Sequence, residues 1–195
     1  MADKLKRAHE ILTAESEAVK NIPVNESLLK AVDLLAGLKG KVICSGIGKA
    51  GIIARKTAAT FSSTGTPAVF LHPGEAQHGD LGLIGDTDVL LIFSNSGKTR
   101  ESVELVQLAR ALHTSAFKVI TVTAHLDSDL AEMSDVALSI GRVEEACSLG
   151  MAPTSSTTAM LALGDVLCVL VMEEIGFTRE EFLKRHHGGY LGTKK

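Results

Sequence analysis

The chain has 195 residues, 45% of them apolar, 22% charged and 4% aromatic, and 20 basic against 23 acidic side chains leave a formal charge of −3. That length suits one domain with a core of its own, and the charge argues against a nonspecific nucleic-acid binder, which carries a basic face. Six Phe, one Tyr and no Trp leave little for stacking bases, whereas 18 Gly, 15 Ser and 15 Thr suit a small polar ligand held by hydroxyls and backbone amides.

Residues 3–20 place Leu5, Ala8, Ile11 or Leu12, and Val19 near helical spacing. A second helix starts at Asn25 or Ser27 and carries Leu28, Leu29, Val32 and Leu35 towards Gly37 and Gly40, so the N-terminal pair covers 3–38. After Gly40 come short branched apolar runs at 41–45, 68–72, 89–93, 118–123 and 136–140. They are continuous rather than alternating, as in strands buried on both faces of a parallel sheet. Helical stretches at 49–64, 99–112 and 129–133 separate them, followed by a long apolar helix at 154–175 and a short one at 179–185. This order predicts an α/β fold, a three-layer α-β-α sandwich around a five-stranded parallel sheet. The core is expected over 41–192 within one domain, 1–195. Cys44, Cys147 and Cys168 form no C-x-x-C pair, so neither a disulfide framework nor a structural zinc site is expected, and Cys44 and Cys168 read as small buried hydrophobes. The first residues are charged and helix-periodic, and no uninterrupted apolar run reaches about 18 residues. The expected setting is therefore cytoplasmic, without a membrane partner.

Open α/β sheets collect ligands beyond the carboxyl ends of their strands. After the first predicted strand stands Ser45-Gly46-Ile47-Gly48-Lys49-Ala50-Gly51, a G-x-G-x-x-G match. A dinucleotide site also wants an acid ending the second strand, but the nearest, Glu75, lies beyond Pro73 and Gly74. The glycines fit either a backbone approach to an anion at a helix start or a tight turn without a ligand. After the third strand, Ser94-Asn95-Ser96-Gly97-Lys98-Thr99 runs straight into a helix. Hydroxyls, free amides and a lysine there make an anion cradle suited to phosphate. It is not a Walker loop, because the G-x-x-x-x-G-K-[ST] spacing is missing. Thr154-Ser155-Ser156-Thr157 either adds a second hydroxyl cluster or only caps the long apolar helix after Pro153. His72-Pro73-Gly74-Glu75-Ala76-Gln77-His78-Gly79-Asp80 matches no zinc signature, and proton transfer or hydrogen bonding to a sugar hydroxyl suits it better. Glu144, Glu145, His186 and His187 add titratable groups, for which a solvated face is the usual local reading.

These blocks together resemble the sugar isomerase (SIS) domain proteins, and more closely the arabinose-5-phosphate isomerases. The resemblance rests on SGIGKAG, ATFSSTGTPAVFLHPGEAQHGDLG, SNSG, EACSLGMAPTSSTTAMLALGD and the terminal HHGGYLG, and spans about 41–192. SNSG marks only the broad superfamily; the HPGEA-x-HGDLG and APTSSTT blocks are more specific. The resemblance implies reversible conversion of ribulose 5-phosphate to arabinose 5-phosphate through an enediol, with no redox cofactor; no metal site is expected, since the spacing around His72 and His78 matches no zinc signature. The resemblance also implies the short form, without the tandem CBS modules other members carry.

By the same resemblance the catalytic set falls on Lys49, Glu101, Glu145 and His186. The resemblance also places His78 beside the site, and, together with the hydroxyl and glycine cradles read above, the expected substrate contacts are Ser45, Gly46, Gly48, His78, Ser94, Ser96, Thr99, Thr154, Ser155 and Ser156. The catalytic histidine is delivered by a neighbouring subunit, implying a homotetramer with shared sites. Two positions depart from the pattern: Lys98 replaces an acid beside the cradle, and His187 stands where proline is usual. Pairing on Gly188-Gly189 selects His186 as the functional histidine. The alternatives are an isomerase of another phosphosugar and a phosphosugar-binding member of the fold without catalysis.

Overall fold

The computed structural model describes residues 2–113 and 117–187. Two helices lead, α1 (Ala2–Lys20) and α2 (Glu26–Ala36), the second capped by Asn25, whose side chain accepts from the Ser27 N–H. Five strands follow: β1 (Val42–Gly46), β2 (Ala68–Leu71), β3 (Val89–Phe93), β4 (Lys118–Thr123) and β5 (Val136–Ser139). All pair in parallel, in the order β2-β1-β3-β4-β5. The predicted five-stranded parallel sheet is therefore present, each strand within about a residue of its expected span.

The continuous apolar runs find their reason in two cores. Val42, Cys44, Val89, Leu91, Phe93, Ile120 and Val122 face one, and Ile43, Leu90, Ile92 and Val119 face the other. The first core is closed by α2, α3 (Gly48–Ser63) and α7 (Ser155–Glu174). The second is closed by α4 (Pro73–Ala76), α5 (Arg100–Leu112) and α6 (Asp129–Glu132), with α8 (Arg179–Arg185) following α7. Cys44 and Cys168 are buried as expected, and burial pushes both thiols up, that of Cys168 to about 12. The expected terminal part of the core, 188–192, lies outside the described residues.

Residues 72–83 hold more structure than the sequence predicted. Pro73 opens α4, where its missing N–H costs nothing, and the His72 ring accepts from the Gly74 N–H. A 3-10 turn follows at Asp80–Leu83.

Two features position the site. Neighbouring strands β1 and β3 lead into α3 and α5, which cross to opposite faces of the sheet; this is the switch point where such sheets leave a crevice. The second is α7. Its 20 residues rise about 1.5 Å each, or roughly 30 Å, and carry the chain from the carboxyl end of the sheet to the opposite end, where Phe177 packs on Gly65 just ahead of β2. By length and composition α7 could cross a membrane, yet half of that stretch is buried in the fold, so its apolar character is explained by the core. It lies against α3 at Gly164, where a Cβ would stand 2.7 Å from Thr57 Oγ1, and Lys56 pairs with Asp165 alongside.

Candidate active site

The crevice at the switch point encloses about 240 Å³. Its floor is Ile47, Lys49 and Ala50, where β1 turns into α3; one wall is Phe93 to Ser96 and Thr99, after β3; the other is Pro153, Ser156, Thr157 and Met160, where α7 begins. Three separated sequence blocks thus meet because parallel strands deliver all their following loops to one edge.

The cradle after β3 is preformed. Ser94 is buried, and its hydroxyl accepts from the Gly97 N–H at 3.2 Å and lies 3.2 Å from the Thr99 hydroxyl. Ser96 Oγ accepts from the Lys98 N–H at 3.2 Å. The side chains of Asn95 and Ser96 are exposed towards the opening, and α5 starts directly behind, adding the positive end of its dipole.

The facing wall is organised by Glu145. Its Oε2 accepts from the N–H of Thr154 at 2.7 Å, the hydroxyl of Thr154 at 3.1 Å and the N–H of Ser156 at 3.3 Å, while Oε1 accepts from the Ser156 hydroxyl. Burial alone would push this carboxyl up. The Ser156 hydroxyl, the two backbone N–H groups and the Thr154 hydroxyl outweigh it and hold the group below the usual carboxylate range. Thr154 is the N-cap residue of α7, yet its own side chain makes no capping bond; Glu145 supplies the missing acceptor. The loop before it is tied to α1 by Arg7, which donates to the Ala146 carbonyl at 2.6 Å, and the first turn of α7 by Thr158, which donates to Glu15 at 2.9 Å.

The SIS domain profile matches residues 34–170, most of this framework. The chain belongs to the SIS domain family. It is 44% identical over 187 residues to Arabinose 5-phosphate isomerase KdsD of Escherichia coli K12, which covers 95% of this chain and 56% of that protein. The chain thus spans little more than half the length of the curated relatives it matches. A Bacteroides fragilis structure described as a candidate phosphosugar isomerase of capsule formation is 53% identical, with a TM-score of 0.93 over 96% of this chain and 99% of its own. The c3406 protein of E. coli CFT073, solved in complex with arabinose 5-phosphate, is 36% identical, with a TM-score of 0.88 over 93% of this chain and 96% of its own.

In this SIS domain the expected site residues divide into groups. Lys49, Ser94, Ser96, Thr99 and Ser156 line the crevice. Thr154 and Glu145 do not line it; Glu145 is joined to its wall by the Ser156 hydroxyl, which donates to the carboxylate. Glu101 is exposed on the first turn of α5, two residues beyond Thr99. His78 is exposed after α4, whose segment is held to α5 by Gln77 donating to Glu104 at 2.7 Å. Gly46 and Gly48 border a separate cavity of about 260 Å³ with Arg55, Phe70 and His72, on the other side of the α3 start.

Three expected contacts are placed elsewhere. Ser45 is fully buried and donates to the Leu71 carbonyl at 2.6 Å, stitching β1 to β2 instead of reaching a ligand. Ser155 is equally buried, and its hydroxyl has no partner among the described residues. His186 stacks on Phe182 with ring centroids 3.8 Å apart and its Nδ1 2.9 Å from the Phe182 carbonyl. Nearby, Arg185 lies over the Phe177 ring, so this histidine sits with the far end of α7, away from its own crevice. Gly188 and Gly189, used to select it, lie outside the described residues. Asn95, Thr157 and the apolar Ile47, Ala50, Phe93, Pro153 and Met160 line the crevice outside the expected set, although Ile47, Ala50, Asn95 and Thr157 belong to the three motifs already singled out.

Proposed function

We propose that this chain interconverts arabinose 5-phosphate and ribulose 5-phosphate. The observation that carries the reading is the crevice itself. A preformed cradle of hydroxyls and amides stands at a helix N-terminus, faced across a small cavity by Ser156 and Thr157 with Lys49 at its floor. That set suits a phosphate on a short polyhydroxyl chain. The relative named an arabinose 5-phosphate isomerase and the neighbour solved with that sugar phosphate support the choice of sugar.

The chemistry moves one proton between C1 and C2. A base takes the proton from C2 of the aldose while an acid delivers one to the carbonyl oxygen on C1, giving an enediol; delivery of a proton to C1 with loss of the proton from the oxygen on C2 then gives the ketose. Lys49 is the cation available to the developing oxyanion. Glu101, an accessible carboxylate at the rim, serves as the base. Glu145 acts through Ser156, fixing the wall and connecting it to a carboxylate. His78 fits hydrogen bonding to a sugar hydroxyl. His186 fits acid–base service at the crevice of a neighbouring copy, because roughly 30 Å of α7 separates it from its own. A homotetramer in the cytoplasm, sites shared between subunits and one domain over 1–195, is the assembly this reading calls for.

The test is a panel of phosphorylated aldoses and ketoses with proton exchange followed at C2. Turnover is expected to be fastest with the arabinose 5-phosphate and ribulose 5-phosphate pair. Faster turnover of a hexose phosphate, or tight binding with no exchange, would overturn the proposal.

A further inference from the structure

The cradle after β3 hangs from the segment that follows β4. The Asn95 carbonyl accepts from the Thr123 hydroxyl at 3.1 Å and from the Ala124 N–H at 3.1 Å. Two residues on, the Gly97 carbonyl accepts from the Leu130 N–H at 3.1 Å. The suspending segment is itself braced: Thr123 Oγ1 accepts from the His125 N–H at 3.1 Å, and the Ser128 hydroxyl donates to the His125 carbonyl at 2.6 Å. Gly97 takes a φ of +62, and a Cβ there would stand 1.9 Å from Ser128 Oγ, so loop and support are in direct contact. Thr123 and Ser128 are fully buried, and neither lines the crevice.

Peptide geometry turns this suspension into direction. In a trans peptide the carbonyl and the following N–H point opposite ways. With the Asn95 carbonyl drawn back onto Thr123 and Ala124, the Ser96 N–H is turned the other way, towards the opening. That N–H donates to no acceptor among the described residues, and Ser96 is exposed.

We infer that Thr123 is a positioning residue for anion capture, aiming the Ser96 N–H at the substrate phosphate by holding the Asn95 carbonyl. The inference rests on the isomerase reading for its substrate, whereas its anion chemistry can be probed without turnover. Thr123 touches neither the sugar nor the reacting carbons, so its effect belongs in binding rather than in the chemical step.

The experiment compares Thr123→Val, Thr123→Ser and Thr121→Val in the full chain. Thr121 serves as the control, because its hydroxyl is also buried on β4 but meets Ser134 at 2.6 Å instead of the cradle. The measurements are KM and kcat for arabinose 5-phosphate, the Kd of inorganic phosphate by calorimetry, and Tm. Thr123→Val is expected to raise KM and the phosphate Kd together by about tenfold, the usual scale of one hydrogen bond serving a charged group, with kcat within about twofold. Thr123→Ser restores both, and Thr121→Val lowers Tm while moving neither. Ser128→Ala, which loosens the same brace, shifts both constants in the same direction and keeps the test open should the valine variant not fold.

Wild-type KM and Kd in Thr123→Val, failure of serine to rescue, or an equal shift in Thr121→Val would overturn the inference. So would a wild-type protein that binds no phosphate. A protein that binds phosphate and turns over no phosphosugar would remove the isomerase reading alone, and the Kd comparison would still judge Thr123.

Discussion

At the amino end of the sheet, carboxylates close the structure; at the carboxyl end, hydroxyls leave it open. Asp88, only 3% exposed in its side chain, accepts from the Lys41 N–H at 2.8 Å, the Lys41 ammonium at 2.7 Å and the Gly85 N–H at 2.8 Å. Asp135 does the same for the Val119 N–H at 2.9 Å, with Arg110 and Lys118 as charge partners. At the other end the Ser96 N–H stays unspent among the described residues, while short hydroxyls cap the neighbouring turns and the Asn95 and Gly97 carbonyls are satisfied from behind. Glu145 is the one place in the candidate site where the amino-end device recurs, locking a wall that has to face a ligand. The difference teaches where this fold uses carboxylates to finish its backbone polarity and where it leaves a donor facing an opening.

Breaking the open end should hurt function most. Glu101→Gln is expected to lower kcat by about 100-fold or more, the scale of a general base, with Tm unchanged; steady-state kinetics near wild type would return Glu101 to the solvated surface. Breaking the closed end should do the reverse. Asp88→Asn removes charge-assisted bonds and is expected to cost about 2 kcal/mol of stability in denaturant unfolding, with KM and kcat intact. Ser96→Ala is smaller, about a tenfold rise in KM on the scale of one hydrogen bond; an unmoved KM would remove the cradle from the phosphate site.

The smallest expected effect is in acid. Burial pushes the carboxyls of Asp88, Asp135 and Glu145 up, but their hydrogen bonds and cations outweigh it and hold all three below the ordinary range. A carboxyl depressed in the folded state contributes stability fully above its unfolded value, near about 4, and loses it as pH falls through the folded value. Unfolding free energy should therefore decline below about pH 4, and less steeply in Asp88→Asn. A wild-type slope in that variant would show that Asp88 is not the lock described.

Much of this was legible in the chain because the signals are local. Strands buried on both faces are written as continuous apolar runs, and the Ser94–Thr99 cradle is one uninterrupted segment. The short α4 was not, since four residues cannot show a period of 3.6; Pro73 after His72 was its only signal. Glu145 was singled out, but as an acid–base group. Its capping of α7 depends on partners nine and eleven residues away, brought back by a loop whose path no periodicity records. The bond Ser45 makes was hidden for a related reason. Its place at a strand end suggested the ligand edge, but the carbonyl that claims its hydroxyl belongs to β2, a neighbour known only from the topology.

Gly164 lies eight residues beyond Ser156, about 12 Å along α7, and Thr57 lies about as far along α3 from Lys49. The helices that supply the floor and one wall of the crevice therefore pack closely two turns below it, at a point where one of them has no side chain. That contact sets how closely α3 and α7 can pack beneath the crevice their first turns line: a methyl group added at Gly164 would push Thr57 aside and part the two helices, although it lies outside the crevice itself.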